Sequence, residues 1–312
     1  MILGLHHVTA TVAEAQPDVD FCAGALALRL VKKTVNFDNH SVYHFYYGDE
    51  HGTPGTIWTT FPYAGMGVPV GTKGVGQITA TAFSVPVGSL DYWRERLVRS
   101  GAAPVRGTAR FGDEVLALDD PSGLRFELIA SRDERRPWLG ATVDPAAAIR
   151  GIHSVTMTVT SPEPSVRFMT DVLGLTVTGE DPARVRVSLG GEGAGHTIDL
   201  VYGTGAPLAR NGLGTVHHVA MAVDGAETQR KVRETLIEQG YQVTRVLDRQ
   251  YFQSIYFREP GGILFEVATV APGFAVDEPP DQLGRALKLP PWEEPNRAAI
   301  ERSLPPVTDP RS

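Results

Sequence analysis

The sequence predicts an α+β fold of four βαβββ modules, paired into two open barrel-like sheets, with modules one and four closing around one cleft. Three observations carry this. Four segments, residues 5–12, 77–85, 152–159 and 216–223, alternate apolar with small or polar residues and end in Val12, Val85, Val159 and Val223, the period of a half-buried strand. A stretch with helical spacing follows each. The second and fourth copies also end alike, Asp120-Pro121-Ser122-Gly123 leading into Leu124-Arg125-Phe126-Glu127 and Glu259-Pro260-Gly261-Gly262 into Ile263-Leu264-Phe265-Glu266, a turn and then a strand with an embedded carboxylate.

The helical stretches are residues 19–28, 89–100, 163–173 and 226–239, and the last three stop at Gly101, Gly174 and Gly240, where a left-handed cap favours a residue without a side chain. Further strands follow, so one copy is a strand, a helix and three strands in ~50–60 residues, a unit whose sheet must bury one face on another sheet. Residues 132–150, with Arg132-Asp133-Glu134-Arg135-Arg136-Pro137 and then Asp144-Pro145, have the charge and proline content of a linker. The expected division is an N-terminal domain 1–135 (modules one and two), a C-terminal domain 150–271 (modules three and four) and a Pro-rich wrapping tail 272–312, with one helical candidate at 293–302.

Composition excludes several classes. The 312 residues are 42% hydrophobic and 21% charged with a net charge of -7, enough to bury a large core, and the scattered Lys and Arg leave no footprint for nucleic acid. A single cysteine, Cys22, rules out an intrachain disulfide or thiolate zinc site and reads as a small buried hydrophobe. Met1-Ile2-Leu3-Gly4 leads straight into a strand and no apolar run reaches membrane-spanning length, so a cytoplasmic protein with no membrane partner is expected. Edges of such sheets pair readily, which leaves room for a homo-oligomer.

Aligned on their final Val, the first strands place His7, Ala80, Ser154 and His218 in one column and His6, Thr79, His153 and His217 in the preceding one. The carboxylate column near the module end holds Glu127 and Glu266, against Thr59 and Thr60 in module one. Modules one and two together offer His7, Ala80 and Glu127, while three and four offer Ser154, His218 and Glu266, each one imidazole short. Only modules one and four give His7, His218 and Glu266, two imidazoles and a carboxylate from separate strands, the donor set of an open iron site.

Adjacent strand residues point to opposite faces, so one His of each pair is expected to ligate. The second is the better choice, because the first column also carries His153, which has no partners and reads as a hydrogen-bonded core residue. Glu127 reads as a carboxylate paired with a cation such as Arg125 or Arg106. Phe265 and Val267 put the flanks of Glu266 in apolar packing, so an ionised Glu266 on the other face needs a strong compensating charge, which a divalent metal supplies.

These residues resemble the vicinal oxygen chelate (glyoxalase/bleomycin resistance/dioxygenase) superfamily. The segments GLHHVTA, GTVHHVA and DRQYFQSIYFREPGGILFEVAT are similar to its ring-cleaving dioxygenases of the hydroquinone 1,2-dioxygenase type, and the likeness runs over essentially the whole chain, LPPWEEPNR in the tail included. The resemblance implies a non-haem Fe(II) held by His7, His218 and Glu266, with Mn(II) suited to the same donors, and places His6, Thr9, His217, Arg249 and Tyr256 next to the metal or in the substrate pocket. On residues alone, Thr9 shares the strand face of His7, Arg249 reads equally as a surface cation paired with Asp248 or Asp113, and Tyr256 reads as core. Strand alternation aims His6 and His217 away from the metal unless a bulge or twist re-aims them.

The implied partners are a small aromatic diol, a substituted or plain hydroquinone, and O2, at coordination positions that three protein ligands leave open. Ring cleavage is the implied activity, with His217 or His6 as acid or base and Arg249 and Tyr256 stabilising oxyanion charge. Extradiol cleavage of a catechol and a glyoxalase-type metal-dependent isomerase or lyase stay open as alternatives. The latter usually takes a further carboxylate from the partner module, where this chain has threonines. A metal-free drug-sequestering member would lack the His-Glu set.

Overall fold

All four modules have the predicted element order in the computed structural model, which describes residues 1–140 and 142–310; residue 141 of the linker and residues 311 and 312 of the tail lie outside the described residues. Module one is β1 (Gly4–Val12), α1 (Ala15–Val19), β2 (Arg29–Asn36), β3 (Asn39–Gly48) and β4 (Ile57–Pro62). Module two is β5 (Gln77–Val85), α2 (Leu90–Arg99), β6 (Val105–Arg106), β7 (Glu114–Asp119) and β8 (Arg125–Ala130). Module three is β9 (Gly151–Val159), α3 (Pro162–Arg167), β10 (Thr176–Asp181), β11 (Arg184–Ser188) and β12 (Thr197–Tyr202). Module four is β13 (Thr215–Val223), α4 (Ala226–Glu238), β14 (Leu247–Asp248), β15 (Phe252–Arg258) and β16 (Leu264–Pro272).

The strands form two curled eight-stranded sheets, β14-β15-β16-β13-β1-β4-β3-β2 and β10-β11-β12-β9-β5-β8-β7-β6. Modules one and four thus share one sheet and modules two and three the other, the pairing that the His and Glu columns require. Each sheet takes strands from both sides of the 132–150 segment. The antiparallel pairs β1–β13 and β5–β9 are the sheet centres. Val8, Ala10 and Val12 of β1 enter a core that spans both sheets, whereas Ile57, Ala220 and Ala268 belong to a smaller cluster inside the first sheet. That second face carries the site.

Gly101, Gly174 and Gly240 adopt φ of +88°, +68° and +84°, the left-handed caps predicted for the last three helical stretches. The first departs from expectation. Helix α1 starts at Ala15, four residues before the predicted 19–28 stretch, runs into a wide π turn over Asp20–Ala25 and ends before Ala27 at φ +56°. The run FCAGALAL has helical spacing, but its end must swing into β2, and the left-handed Ala27 makes that turn.

Asp18 fixes α1 to the sheet. Its Oδ2 accepts from Tyr47 Oη of β3 at 2.8 Å and from Thr60 Oγ1 of β4 at 2.6 Å. Burial outweighs these bonds and pushes its pKa up to about 7. A carboxyl raised on folding favours the folded state less as pH rises from its unfolded value through 7. Asp18→Asn, which keeps the accepting carbonyl, is therefore expected to gain on the wild type between pH 5 and pH 8.5, by up to about 3 kcal/mol. Urea unfolding at the two pH values measures this, and a pH-independent difference would refute it.

The tail closes one end of the first sheet. Lys288 N donates to Lys33 O at 2.9 Å, covering the edge strand β2, which would otherwise present unpaired backbone groups. A Cβ at Gly284 would stand 1.9 Å from Leu30 O, so only glycine permits this approach. Lys32, fully buried, reaches from β2 to Asp277 and Glu278, 2.5 Å from each. The helical candidate at 293–302 is α5 (Arg297–Ser303), preceded by a 3-10 turn at Glu294–Asn296. Among the described residues no helix is long and apolar enough to cross a membrane.

Candidate metal centre

The β1–β13 ladder slips twice. Leu5↔Met221 is followed by His7↔Ala220, leaving His6 without an opposite number, and Thr9↔His218 is followed by Ala10↔Val216, leaving His217 without one. Each slip is a one-residue bulge, which re-aims a side chain. The two rings of each dipeptide consequently meet: Nδ1 of His6 stands 2.9 Å from Nδ1 of His7, and Nδ1 of His217 is 2.8 Å from Nδ1 of His218. Simple alternation, which aims His6 and His217 away, fails here for this reason. The other sheet slips at Thr79 and His153, so the whole column His6, Thr79, His153, His217 consists of bulge residues.

Glu266 arrives from β16, where it lies opposite Ala220 of β13, and Thr59 holds the corresponding place in module one, opposite Thr9. His7 Nε2, His218 Nε2 and a Glu266 carboxylate oxygen converge within 4.8 Å of one another. Nε2 of His7 is 3.3 Å and Nε2 of His218 2.9 Å from Glu266 Oε2, and the two nitrogens are 3.2 Å apart. Glu266 is fully buried. Its Oε1 accepts from Ser254 Oγ, but Oε2 makes no hydrogen bond; the short approach of His218 Nε2 is one of distance without donor alignment, so we take the atom as orphaned. Three lone-pair donors pointing at one spot, one an unsatisfied buried carboxylate oxygen, fit a divalent cation.

The electrostatics agree. Burial works to raise the Glu266 carboxyl, but the His7 and His218 rings outweigh it and hold it well below the usual range. Burial lowers the pKa of His218, against the pull of Glu266. His6 and His217 are each brought down to about 3 by burial and then by the adjacent ring, His7 or His218. Neutral imidazole is the form that ligates or orients a ligand.

A cavity of about 390 Å³ opens onto this cluster, and Thr9, His217, Arg249 and Tyr256 line it together with His7 and His218. His6 does not line it; its ring packs against Phe252 at 4.9 Å behind His7. Arg249 lies over the Tyr256 ring at 5.3 Å, and its Nε donates to Tyr256 Oη at 3.2 Å. Its carboxylate neighbour is Asp38, 3.4 Å away on the turn between β2 and β3, rather than Asp248 or Asp113. Module one supplies the rest of the wall, Asn36, His44, Tyr46, Phe61 and Tyr63, from stretches 36–50 and 61–73 that the sequence marks as shaping the pocket without singling out these residues. The signal was present in the alternation of β3, which puts His44 and Tyr46 on one face.

The second sheet contains the same positions with different occupants. Ala80 and Ser154 stand where His7 and His218 stand in the first sheet, and His153 Nδ1 lies 3.0 Å from Ser154 Oγ. The carboxylate column is longer than the sequence alignment gives, because Asp199 stands opposite Thr156 as Glu127 stands opposite Ala82. Arginines neutralise both. Glu127 pairs with Arg110, not with Arg125 or Arg106, while Asp199 takes Arg184 at 2.9 Å, Arg186 at 2.7 Å and Arg110 at 3.3 Å. One cleft thus supplies its own cations, and the other leaves Glu266 Oε2 bare.

Residues 151–267 match the family described as Glyoxalase/Bleomycin resistance protein/Dioxygenase superfamily. The chain is 41% identical over 97% of its length, and 96% of the relative's, to MhqO of Bacillus subtilis (strain 168), named as a candidate ring-cleaving dioxygenase. It is 37% identical to the chlorohydroquinone/hydroquinone 1,2-dioxygenase of Sphingobium indicum, over 96% of this chain and 95% of that one. A solved structure of a candidate dioxygenase from Bacillus subtilis subsp. subtilis str. 168 superposes with a TM-score of 0.94 at 40% identity, covering 99% of this chain and 98% of the other. The chain therefore belongs to the glyoxalase/bleomycin resistance/dioxygenase superfamily and, within it, to the ring-cleaving dioxygenases, which makes it an oxygenase enzyme.

Proposed function

We propose that the protein cleaves the ring of a hydroquinone with O2, using one Fe(II) held by His7, His218 and Glu266. The observation that carries this is the orphaned Glu266 Oε2 facing two imidazole Nε2 atoms, with Thr59 where a fourth ligand could have come from module one. Three donors leave positions for a diol oxygen and dioxygen, as in sites of the two-histidine, one-carboxylate type; among the described residues the cluster has no fourth ligand, the second carboxylate expected of an isomerase. The choice of hydroquinone rests on the relative from Sphingobium indicum. Mn(II) suits the same donors and is the alternative ion.

Bound there, Fe(II) supplies the redox chemistry between an electron-rich ring and O2 that no side chain has. The chain's own residues do the rest. For His7 to present a bare Nε2, its proton must sit on Nδ1 and be donated to His6 Nδ1. His6 then carries its proton on Nε2, consistent with its bond to the backbone of Thr269, which favours the protonated ring. By the same logic His217 accepts from His218 and keeps a proton on its own Nε2. Because His217 lines the cavity and His6 does not, His217 is the one placed to donate its Nε2–H to a diol oxygen, and His6 orients His7. Arg249 and Tyr256 offer N–H and O–H groups to a diol oxygen carrying negative charge, and the aromatic walls exclude water.

Oxygen uptake by anaerobically Fe(II)-loaded protein, with chloro- and methylhydroquinones beside catechols, tests this reading. Iron-dependent uptake with hydroquinones is expected. Uptake with catechols alone would assign extradiol cleavage, and metal bound at one per chain without uptake on any diol would favour an isomerase or lyase.

A further inference from the structure

Behind Thr9 a line of hydrogen bonds runs across three strands and away from the candidate metal ligands. Thr59 Oγ1 of β4 donates to Thr9 Oγ1 of β1 at 2.8 Å, and His44 Nε2 of β3 lies 3.0 Å from Thr59 Oγ1. Thr9 and Thr59 are fully buried register partners. The His44 ring is clamped by Tyr46 and Phe61, with centroids 4.0 and 4.3 Å away.

A hydroxyl has one proton to give. Since Thr59 gives its proton to Thr9, the atom facing Thr59 from His44 must be an N–H, so the imidazole carries its proton on Nε2. Burial, with the rings of His7 and His218 and the Arg249 guanidinium nearby, keeps His44 neutral and limited to one N–H. Thr9, already accepting, has its own proton left over, and among the described residues no acceptor takes it. Thr9 lines the cavity, two residues from His7 on the same strand face and directly opposite His218.

We infer that His44 and Thr59 are positioning residues that set the Thr9 hydroxyl as a donor into the cavity, selecting an ionised hydroxyl oxygen of the ligand over a neutral one. The inference rests on the proposed diol site and adds to it the charge state in which the ligand is held. An acceptor-oriented Thr9 would favour the neutral diol; the His44 N–H prevents it, because turning the Thr59 proton around would leave two donors facing each other. A neutral histidine protonated on Nε2 can do this, whereas an apolar residue of the same bulk cannot.

The test uses 4-nitrophenol, a single-hydroxyl probe whose neutral and ionised forms absorb differently, bound to anaerobic metal-loaded full-length protein. The pH at which the bound probe ionises is read for wild type, Thr9→Val, Thr59→Val, His44→Leu and His44→Gln. Wild type is expected to bind the anion preferentially. The Val and Leu variants are expected to raise the bound probe's ionisation by about one pH unit, with roughly tenfold weaker binding of the anion. His44→Gln, able to place an N–H near the Nε2 position, should return it toward wild type. A shift in Thr9→Val with none in Thr59→Val and His44→Leu would overturn the relay, as would a His44→Leu shift that Gln fails to rescue. Should His44→Leu not fold, Thr59→Val decides alone. Metal-loaded wild type that does not bind the anion would overturn the diol-site reading itself and this inference with it.

Discussion

Glu266→Ala is expected to fold, to retain no divalent metal after anaerobic loading and desalting, and to take up no oxygen with any diol. The loss should exceed the ten- to hundredfold in metal affinity that follows removal of a residue merely orienting a ligand, because Glu266 is the one carboxylate at the cluster among the described residues. Nothing beside it can take over. Thr59, in the matching place of module one, donates its proton to Thr9, and Arg249, the nearest cavity-lining cation, carries the wrong charge for a ligand. The second cleft provides the control. Glu127 occupies the same register but is paired with Arg110, so Glu127→Ala should leave metal content unchanged. Metal analysis by mass spectrometry beside oxygen uptake reads both, and metal at one per chain with activity in Glu266→Ala would remove the assignment.

The largest expected effect on stability belongs to Lys32→Ala, at about 3–5 kcal/mol. Its ammonium is buried between Asp277 and Glu278, lies 5.1 Å from the Tyr251 ring, and Tyr251 Oη in turn donates to Asp277 at 3.0 Å. Removing the cation leaves two carboxylates facing each other with little solvent. The cheaper way out is for the tail to detach from β2, so limited proteolysis after residue 272 should accelerate in the variant. Combining Lys32→Met with Asp277→Asn and Glu278→Gln should recover much of the loss, since neutral groups of similar volume need no counter-charge. A Lys32→Ala loss below about 1 kcal/mol would place this cluster among ordinary surface ion pairs.

Much of the fold could be read from the chain because four copies of one unit repeat the same pattern, and a repeat exposes register that a single copy hides. The final Val of each first strand aligned residues that the ladders later placed in equivalent positions: His7 opposite Ala220 in one sheet, Ala80 opposite Thr156 in the other. Counting ligands then selected the pairing of modules one and four without reference to any contact. Local features that depend on a few neighbouring residues, such as the glycine caps at Gly101, Gly174 and Gly240, were equally accessible. The start of α1 was not, because the helical spacing of residues 19–28 carries no record that Ala27 must turn left-handed to meet β2.

What depended on distant partners lay beyond the sequence. The His-His dipeptides mark where the ladders slip, but a bulge is a property of two strands in register, and only the paired β1 and β13 turn adjacent histidines toward each other. Glu127 and Glu266 sit in near-identical local sequence. Their difference comes from Arg110, brought beside Glu127 by the fold, while among the described residues no guanidinium reaches the bare oxygen of Glu266. The alternation of residues and the identity of the candidate donor side chains are inscribed along the chain, since strand period and donor chemistry are local. Which carboxylate is neutralised by arginine and which keeps a bare oxygen was decided only in three dimensions, because the energy of a buried charge is set by whatever the fold places within a few ångströms of it.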